Sequence, residues 1–162
     1  MVAGVVLTLA GELLRLWAVQ HIGVISRTRS DRLGPLVVTG PFGICRNPLY
    51  IGNIAIWVGF ALTAGFVWMA GLVLVLLAAE YHAIVRWEER LLQERLGERY
   101  HAYAARVPRW IPTGGRATAN NSSGIAASSA QPFSWRETFY SERGTLIAIG
   151  LGFALLWLKS GL

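Results

Sequence analysis

Lysine is nearly absent. The 162-residue chain has one, Lys159, against fourteen arginines, and nine acidic residues leave a formal net charge of +6. Cysteine also occurs once, at Cys45, which excludes an intrachain disulfide and a CxxC metal pair. The three histidines, His21, His82 and His101, are far apart in sequence, so no metal site is expected. Charge of either sign is sparse, at 15% of residues, while 54% are hydrophobic and the mean hydropathy is +0.44. That is too apolar for an ordinary soluble domain of this size. A basic chain suits nucleic acid or an anionic membrane surface. Here the basic residues flank long apolar runs, which points to a membrane and away from nucleic acid. No basic residue precedes the first apolar run and no small-residue cleavage site follows it, so that run reads as a retained helix.

Four apolar segments are present. The first, Val2 to Val19, is long enough to span a bilayer. Glu12 and Arg15 interrupt it three residues apart, on one helix face, where they can pair. Ionisable groups inside a span must face protein or water; a structural ion pair and a functional role are both open. A polar stretch from Ser26 to Gly34 carries Arg27, Arg29, Asp31 and Arg32. Gly40-Pro41 then marks a turn, and Pro48 suits the first turn of a helix, where its missing N–H costs nothing. The second segment, Leu49 to Leu62, and the third, Phe66 to Val85, are joined by Thr63-Ala64-Gly65 and form an antiparallel membrane hairpin. The second is short, since about 15 residues rise only about 22 Å.

From Arg86 to Pro112 an amphipathic pattern follows, with Leu91, Leu92, Leu96 and Tyr100 at helical spacing. It predicts a helix lying along the membrane face. Residues 113–134, rich in Gly, Ser, Ala and Thr, read as a flexible linker. The last apolar run, Thr145 to Leu158, is 14 residues, short for a span, and a fourth crossing is preferred over an interfacial helix. The expected organisation is a core over 1–112, the linker, and a C-terminal helix over 135–162. The fold class is all-α: a membrane bundle of about four spanning helices plus a cytoplasmic amphipathic helix. Arg27, Arg29, Arg32, Arg46 and every arginine from Arg86 to Arg143 fall on one side of this topology, and Lys159 on the other. The positive-inside rule places the arginine side in the cytoplasm. Trp17, Trp68, Trp87 and Trp157 fall near helix ends, as interfacial aromatics do.

This topology brings two polar elements to the open end of the hairpin: Arg46-Asn47-Pro48-Leu49-Tyr50 and Glu88-Glu89. Carboxylates there suit an ammonium group or a ribose diol, and the Gly40-Pro41-Phe42 turn offers backbone groups and an aromatic face to a purine. Taken singly, Glu88-Glu89 also reads as the start of a solvated helix paired to nearby arginines, and Arg46 as one more inside-positive charge. Tyr50 and Tyr81 read as helix packing, and Cys45 as a small buried residue. His82 reads as a packed or interfacial residue and His21 as a helix-end histidine.

The order Gly11-Glu12-x-x-Arg15, Leu36-Val37-x-Thr39-Gly40-Pro41-Phe42, Arg46-Asn47-Pro48-Leu49-Tyr50-x-Gly52, Glu88-Glu89-x-x-Leu92, Gly97-x-x-Tyr100-x-x-Tyr103 and Val107-Pro108-Arg109 resembles the isoprenylcysteine carboxyl methyltransferase family. Phospholipid N-methyltransferases share the hairpin and the paired glutamates. The resemblance covers Gly11 to Pro112. It implies S-adenosylmethionine as methyl donor. By position, Leu36, Val37, Gly40, Phe42, Asn47, Pro48, Leu49 and Tyr50 would line the cofactor pocket, with Glu88 contacting the cofactor and Glu89 supporting it. Arg46 and Glu89 would serve catalysis, and Arg46, Arg86 and Trp87 the substrate. Asn47 stands where the family often has His, and Phe42 where it often has Tyr. Ile84 stands where the eukaryotic enzymes carry an arginine one turn before the first glutamate; Arg86 lies about 200° round the helix from there.

The expected activity is methyl transfer to a lipophilic acceptor at the cytoplasmic face of a prokaryotic membrane. A carboxylate acceptor needs no base, whereas an amine does, with Glu89, His21 and His82 as candidates. A phospholipid amine methyltransferase and a non-catalytic membrane scaffold are the alternatives.

Overall fold

The computed structural model describes residues 1–23, 36–111 and 133–160. These are all-helical: α1 (Val2–Ile22), a 3-10 turn (Gly40–Gly43), α2 (Pro48–Thr63), α3 (Val67–Leu96), α4 (Glu98–Ala104) and α5 (Trp135–Ser160). By length and composition α1, α3 and α5 can each cross a membrane, and α2 is a shorter apolar helix. The chain is thus an integral membrane protein. Residues 27, 29, 31 and 32, and most of the linker expected over 113–134, lie outside the described residues.

α1 and α2 form the tightest pair, because small residues line both faces. Gly4, Thr8 and Gly11 of α1 meet Gly52, Gly59 and Thr63 of α2. A Cβ built on Gly11 would stand 2.7 Å from the Gly52 carbonyl oxygen, and one on Gly52 2.8 Å from that of Gly11. Backbones this close gain dispersion and carbonyl contacts that lipid cannot supply, which is how apolar helices associate in hydrocarbon. The Thr8 and Thr63 hydroxyls donate to the carbonyls of Gly4 and Gly59 at 3.0 and 2.8 Å, so neither is left unsatisfied.

Pro48 opens α2 in its first turn with Asn47 at the cap position. α2 and α3 run antiparallel through the expected turn at Ala64-Gly65, where Gly65 takes φ +84. Tyr50 and Tyr81 stack at 4.8 Å between ring centroids near the open end of the hairpin. α5 is antiparallel to α1. The Phe133 N–H donates to the Gln20 carbonyl at 2.8 Å beside the end of α1. At the far end, the Lys159 ammonium sits 4.6 Å from the Phe66 ring, by the α2–α3 turn. The C-terminal ends of α1 and α3 therefore share one side with the N-terminal ends of α2 and α5.

Two expectations change. The amphipathic segment from Arg86 is not a separate helix: α3 continues through it to Leu96. At 30 residues it rises about 45 Å, beyond the roughly 30 Å of hydrocarbon. The change from apolar to charged residues at Arg86 alters the solvent and leaves the backbone alone, since Arg, Glu, Gln and Leu all favour helix. Gly97, at φ +51, ends the run, and α4 then turns back. There Tyr100, Tyr103 and Val107 pack on Val38, with Leu36, Leu92 and Leu96 around them. The last helix is also longer than its apolar run. α5 starts at Trp135 because Ser134 and Glu137 form a reciprocal cap: Ser134 Oγ accepts the Glu137 N–H at 3.3 Å, and Glu137 Oε2 accepts the Ser134 N–H at 2.8 Å.

Candidate functional site at the open end of the hairpin

The polar side chains meet where α2 begins and α3 leaves the apolar zone. Tyr50, one turn into α2, donates its hydroxyl to Glu88 Oε1 at 2.9 Å. Glu88 is half-buried and has no other partner among the described residues. Its neighbour Glu89, turned about 100° round α3, is buried and heavily engaged. Arg109 Nη2 lies 2.7 Å from Glu89 Oε2, and Arg109 Nε is 3.1 and 3.2 Å from the two oxygens. Arg46 Nη1 approaches Glu89 Oε1 at 3.1 Å. This is a bidentate guanidinium fork plus a second cation on one carboxylate.

Backbone contacts hold the returning segment in place. The Arg46 N–H donates to the Pro108 carbonyl at 2.9 Å, and Asn47 Nδ2 to the Arg109 carbonyl at 3.1 Å. Tyr103 donates its hydroxyl to the Phe42 carbonyl at 2.7 Å, and Tyr100 accepts from Arg46 Nη1 at 3.3 Å. Burial pushes both tyrosine hydroxyls, and the Cys45 thiol, above their ordinary ranges. Hydrogen bonding to Glu89 raises Arg109 further.

Of the residues singled out in the sequence, the fold gathers Arg46, Asn47, Tyr50, Glu88 and Glu89 at this end. Pro48 is buried in the first turn of α2 and Leu49 is half-buried beside it. Phe42 is buried, its carbonyl occupied by Tyr103, and Leu36 packs against the Tyr100 cluster; Val37 and Gly40 are half-buried nearby. Gly40 takes φ +58 directly against the His21 ring, so His21 seats the turn on the end of α1. Arg86 and Trp87 are exposed on α3. His82 lines a cleft of about 500 Å³ with Ile54, Ala78, Ala79 and Trp110.

Three participants were not given a role from the sequence. Arg109 stood in a quoted motif, and its place beside Pro108 was the signal that it closes a loop. Tyr100 read as part of the apolar face of a helix, and both Tyr100 and Tyr103 stood in a quoted motif without a role of their own.

A second polar cluster lies between α1, α2 and α5. Arg15 donates Nη1 to Asn53 Oδ1 and Nη2 to Glu142 Oε2, the latter at 2.5 Å, with Glu12 3.6 Å from its Nε. The i,i+3 pair expected from the sequence is present, and α5 supplies a further partner.

Residues 1–99 match the family described as phospholipid methyltransferase. The chain belongs to that family. It thereby falls within the isoprenylcysteine carboxyl methyltransferase-like membrane superfamily. The match ends within α4, so the phospholipid methyltransferase match takes in Glu88 and Glu89 but stops short of Arg109 and α5.

Two curated relatives match part of the chain. The nickel-cobalt-cadmium resistance protein NccN of Alcaligenes xylosoxydans xylosoxydans is 33% identical over 98 residues, 60% of this chain and 43% of that protein. The cobalt-zinc-cadmium resistance protein CzcN of Cupriavidus metallidurans is 29% identical over 98 residues, 60% of this chain and 42% of that protein. The chain thus matches about two fifths of their length. No solved structure matches.

Proposed function

We propose that this protein transfers a methyl group from S-adenosylmethionine to a lipid-borne acceptor at the cytoplasmic face of a prokaryotic membrane. The observation that carries the reading is Glu88. It is a half-buried carboxylate positioned by Tyr50 and otherwise without a partner among the described residues, in a chain of the phospholipid methyltransferase family.

The donor set fits such a cofactor. Glu88 offers charge to an ammonium or ribose diol, and Arg46 and Asn47 offer N–H donors beside it. Leu36, Val37, Gly40, Phe42, Pro48 and Leu49 supply the apolar side of the same region. When bound, the cofactor supplies an electrophilic methyl group. The protein's own residues then orient and exclude water. Glu89 is held by two guanidinium groups, which suits it to fixing Arg46. Alignment of acceptor and methyl group is the main source of rate in such a site, and a dry surrounding helps when charge is lost on the way to the transition state. The apolar cleft at Ile54, Ala78 and Trp110 gives an acceptor carried in the bilayer a way toward this end.

The arginine-rich side, which includes Arg46, Arg86, Arg90, Arg136 and Arg143, supports a cytoplasmic orientation. The test is incubation of the purified protein with methyl-labelled cofactor and membrane lipids. Label in a lipid product is expected. Release of that label by mild base marks a carboxyl ester, and retention marks a methylated amine. Absence of both cofactor binding by calorimetry and labelled lipid would leave a non-catalytic scaffold. The likeness to metal-resistance proteins favours a second, physiological reading: expression in a metal-sensitive host should raise tolerance to cobalt or cadmium, read as growth.

A further inference from the structure

The Arg46 guanidinium is only partly used. Its Nη1 serves both Glu89 and Tyr100, while Nε is buried and has no hydrogen-bond partner among the described residues. A guanidinium has five N–H donors in a planar fork. Leaving one out of water without an acceptor is unfavourable, and native structures seldom keep such a group without a reason.

The local charge balance points the same way. Glu89 is one carboxylate shared by two guanidinium groups, and Arg109 already fills both of its oxygens. Among the described residues, the other groups in contact with Arg46 add no negative charge. Tyr100 and Tyr103 are phenols that burial keeps protonated, and Cys45 is a thiol shifted in the same direction. Glu88, the next carboxylate on α3, is bonded to Tyr50 and makes no ion pair with Arg46 among the described residues. A surplus positive charge therefore remains beside a free donor edge. The Arg46 side chain is only 13% exposed, so water screens that charge weakly.

We propose that the free edge of Arg46 binds an anionic group, a carboxylate or phosphate, that a ligand brings to the open end of the hairpin. Arg109 and Glu89 position the guanidinium, and Tyr100 fixes its rotation. The proposal rests on the methyltransferase reading for the choice of ligands. The anion then belongs either to the amino-acid end of the cofactor or to the phosphate of a phospholipid headgroup, and the same guanidinium suits both.

Calorimetry on the full chain in detergent separates these sources. The probes are S-adenosylmethionine, its decarboxylated analogue, and short-chain dihexanoyl phosphatidic acid, each against wild type, Arg46→Gln and Arg46→Lys. If the cofactor carboxylate is the partner, decarboxylation and Arg46→Gln each weaken binding about tenfold or more, and together they cost no more than either alone. Arg46→Lys, which keeps the charge without the fork, falls between. If the phosphate is the partner, Arg46→Gln spares the cofactor and weakens phosphatidic acid binding by a similar factor. Equal affinity of wild type and Arg46→Gln for both the cofactor and phosphatidic acid would overturn the anion site. A wild-type protein that binds phosphatidic acid through Arg46 but neither nucleoside probe would keep this site and sink the methyltransferase reading.

Discussion

The two polar clusters contain the same residue types in opposite proportion. At the open end of the hairpin, two arginines converge on Glu89 and a second carboxylate, Glu88, is engaged by Tyr50 alone among the described residues. Between α1, α2 and α5, two carboxylates converge on Arg15, whose terminal nitrogens donate to Asn53 and Glu142, with Glu12 3.6 Å from its Nε. The first keeps unused capacity: a buried Arg46 Nε and a half-buried carboxylate. The second is buried more deeply, with Glu12 only 4% exposed and Glu142 8%, and there Arg15 Nε and both Glu12 carboxylate oxygens also lack a hydrogen-bond partner among the described residues. Unpartnered buried atoms occur in both clusters; what separates them is that Arg15 joins three helices, whereas Arg46 and Arg109 join two loops to α3. On that basis the Arg15 cluster fastens α5 to the core, and the proposed ligand site lies at the Glu88–Arg46 end.

The contrast can be broken in order of effect. Arg15→Ala should be the most damaging change, because it leaves two buried carboxylates without a cation. A loss of about 3 kcal/mol or more is expected, read as a fall in unfolding midpoint in detergent. A variant as stable as wild type would show that α5 is held by other means. Arg109→Ala should cost less, about 1–2 kcal/mol, because Glu89 keeps Arg46 and the Arg109 side chain is already 34% exposed; the same unfolding assay ranks the two.

Glu88→Gln should leave stability within about 0.5 kcal/mol and reduce cofactor affinity about tenfold or more, measured by calorimetry. Unchanged affinity would remove Glu88 from the site and with it the contrast. The smallest effect concerns Cys45. Burial raises its thiol above the ordinary range, so the thiolate fraction at pH 8 is lower than in a free thiol. Alkylation in the folded protein should be slower than in denatured protein and quicken as pH rises; equal rates would show this turn to be open to solvent.

Much of the fold was legible because apolar length and breaks are local properties. The α2–α3 hairpin, Pro48 at the start of α2 and the Gly40-Pro41 turn all follow from residues near the feature itself. The Ser134-x-x-Glu137 cap was equally local, but the 14-residue apolar run drew the helix boundary to Thr145. The continuation of α3 through Arg86 was not legible from hydropathy, because hydropathy marks where the solvent changes and the helix does not break there. In the site, Glu88 and Glu89 were visible as adjacent carboxylates. Their separation, one bonded to a tyrosine and the other saturated by arginines, depends on which way each faces.

Composition and patterning alone determined an all-helical membrane chain, the pairing of α2 with α3, and the collection of arginine at one side. Those features follow from the cost of placing backbone polar groups and charges in hydrocarbon, and that cost is paid residue by residue. The tertiary structure decided that Arg109 returns from beyond α4 to hold Glu89, that Arg15 belongs to Glu142 across 127 residues, and that Arg46 Nε has no partner among the described residues. These depend on chain segments distant in sequence meeting at a few ångströms, and no local pattern encodes the length or direction of such a contact.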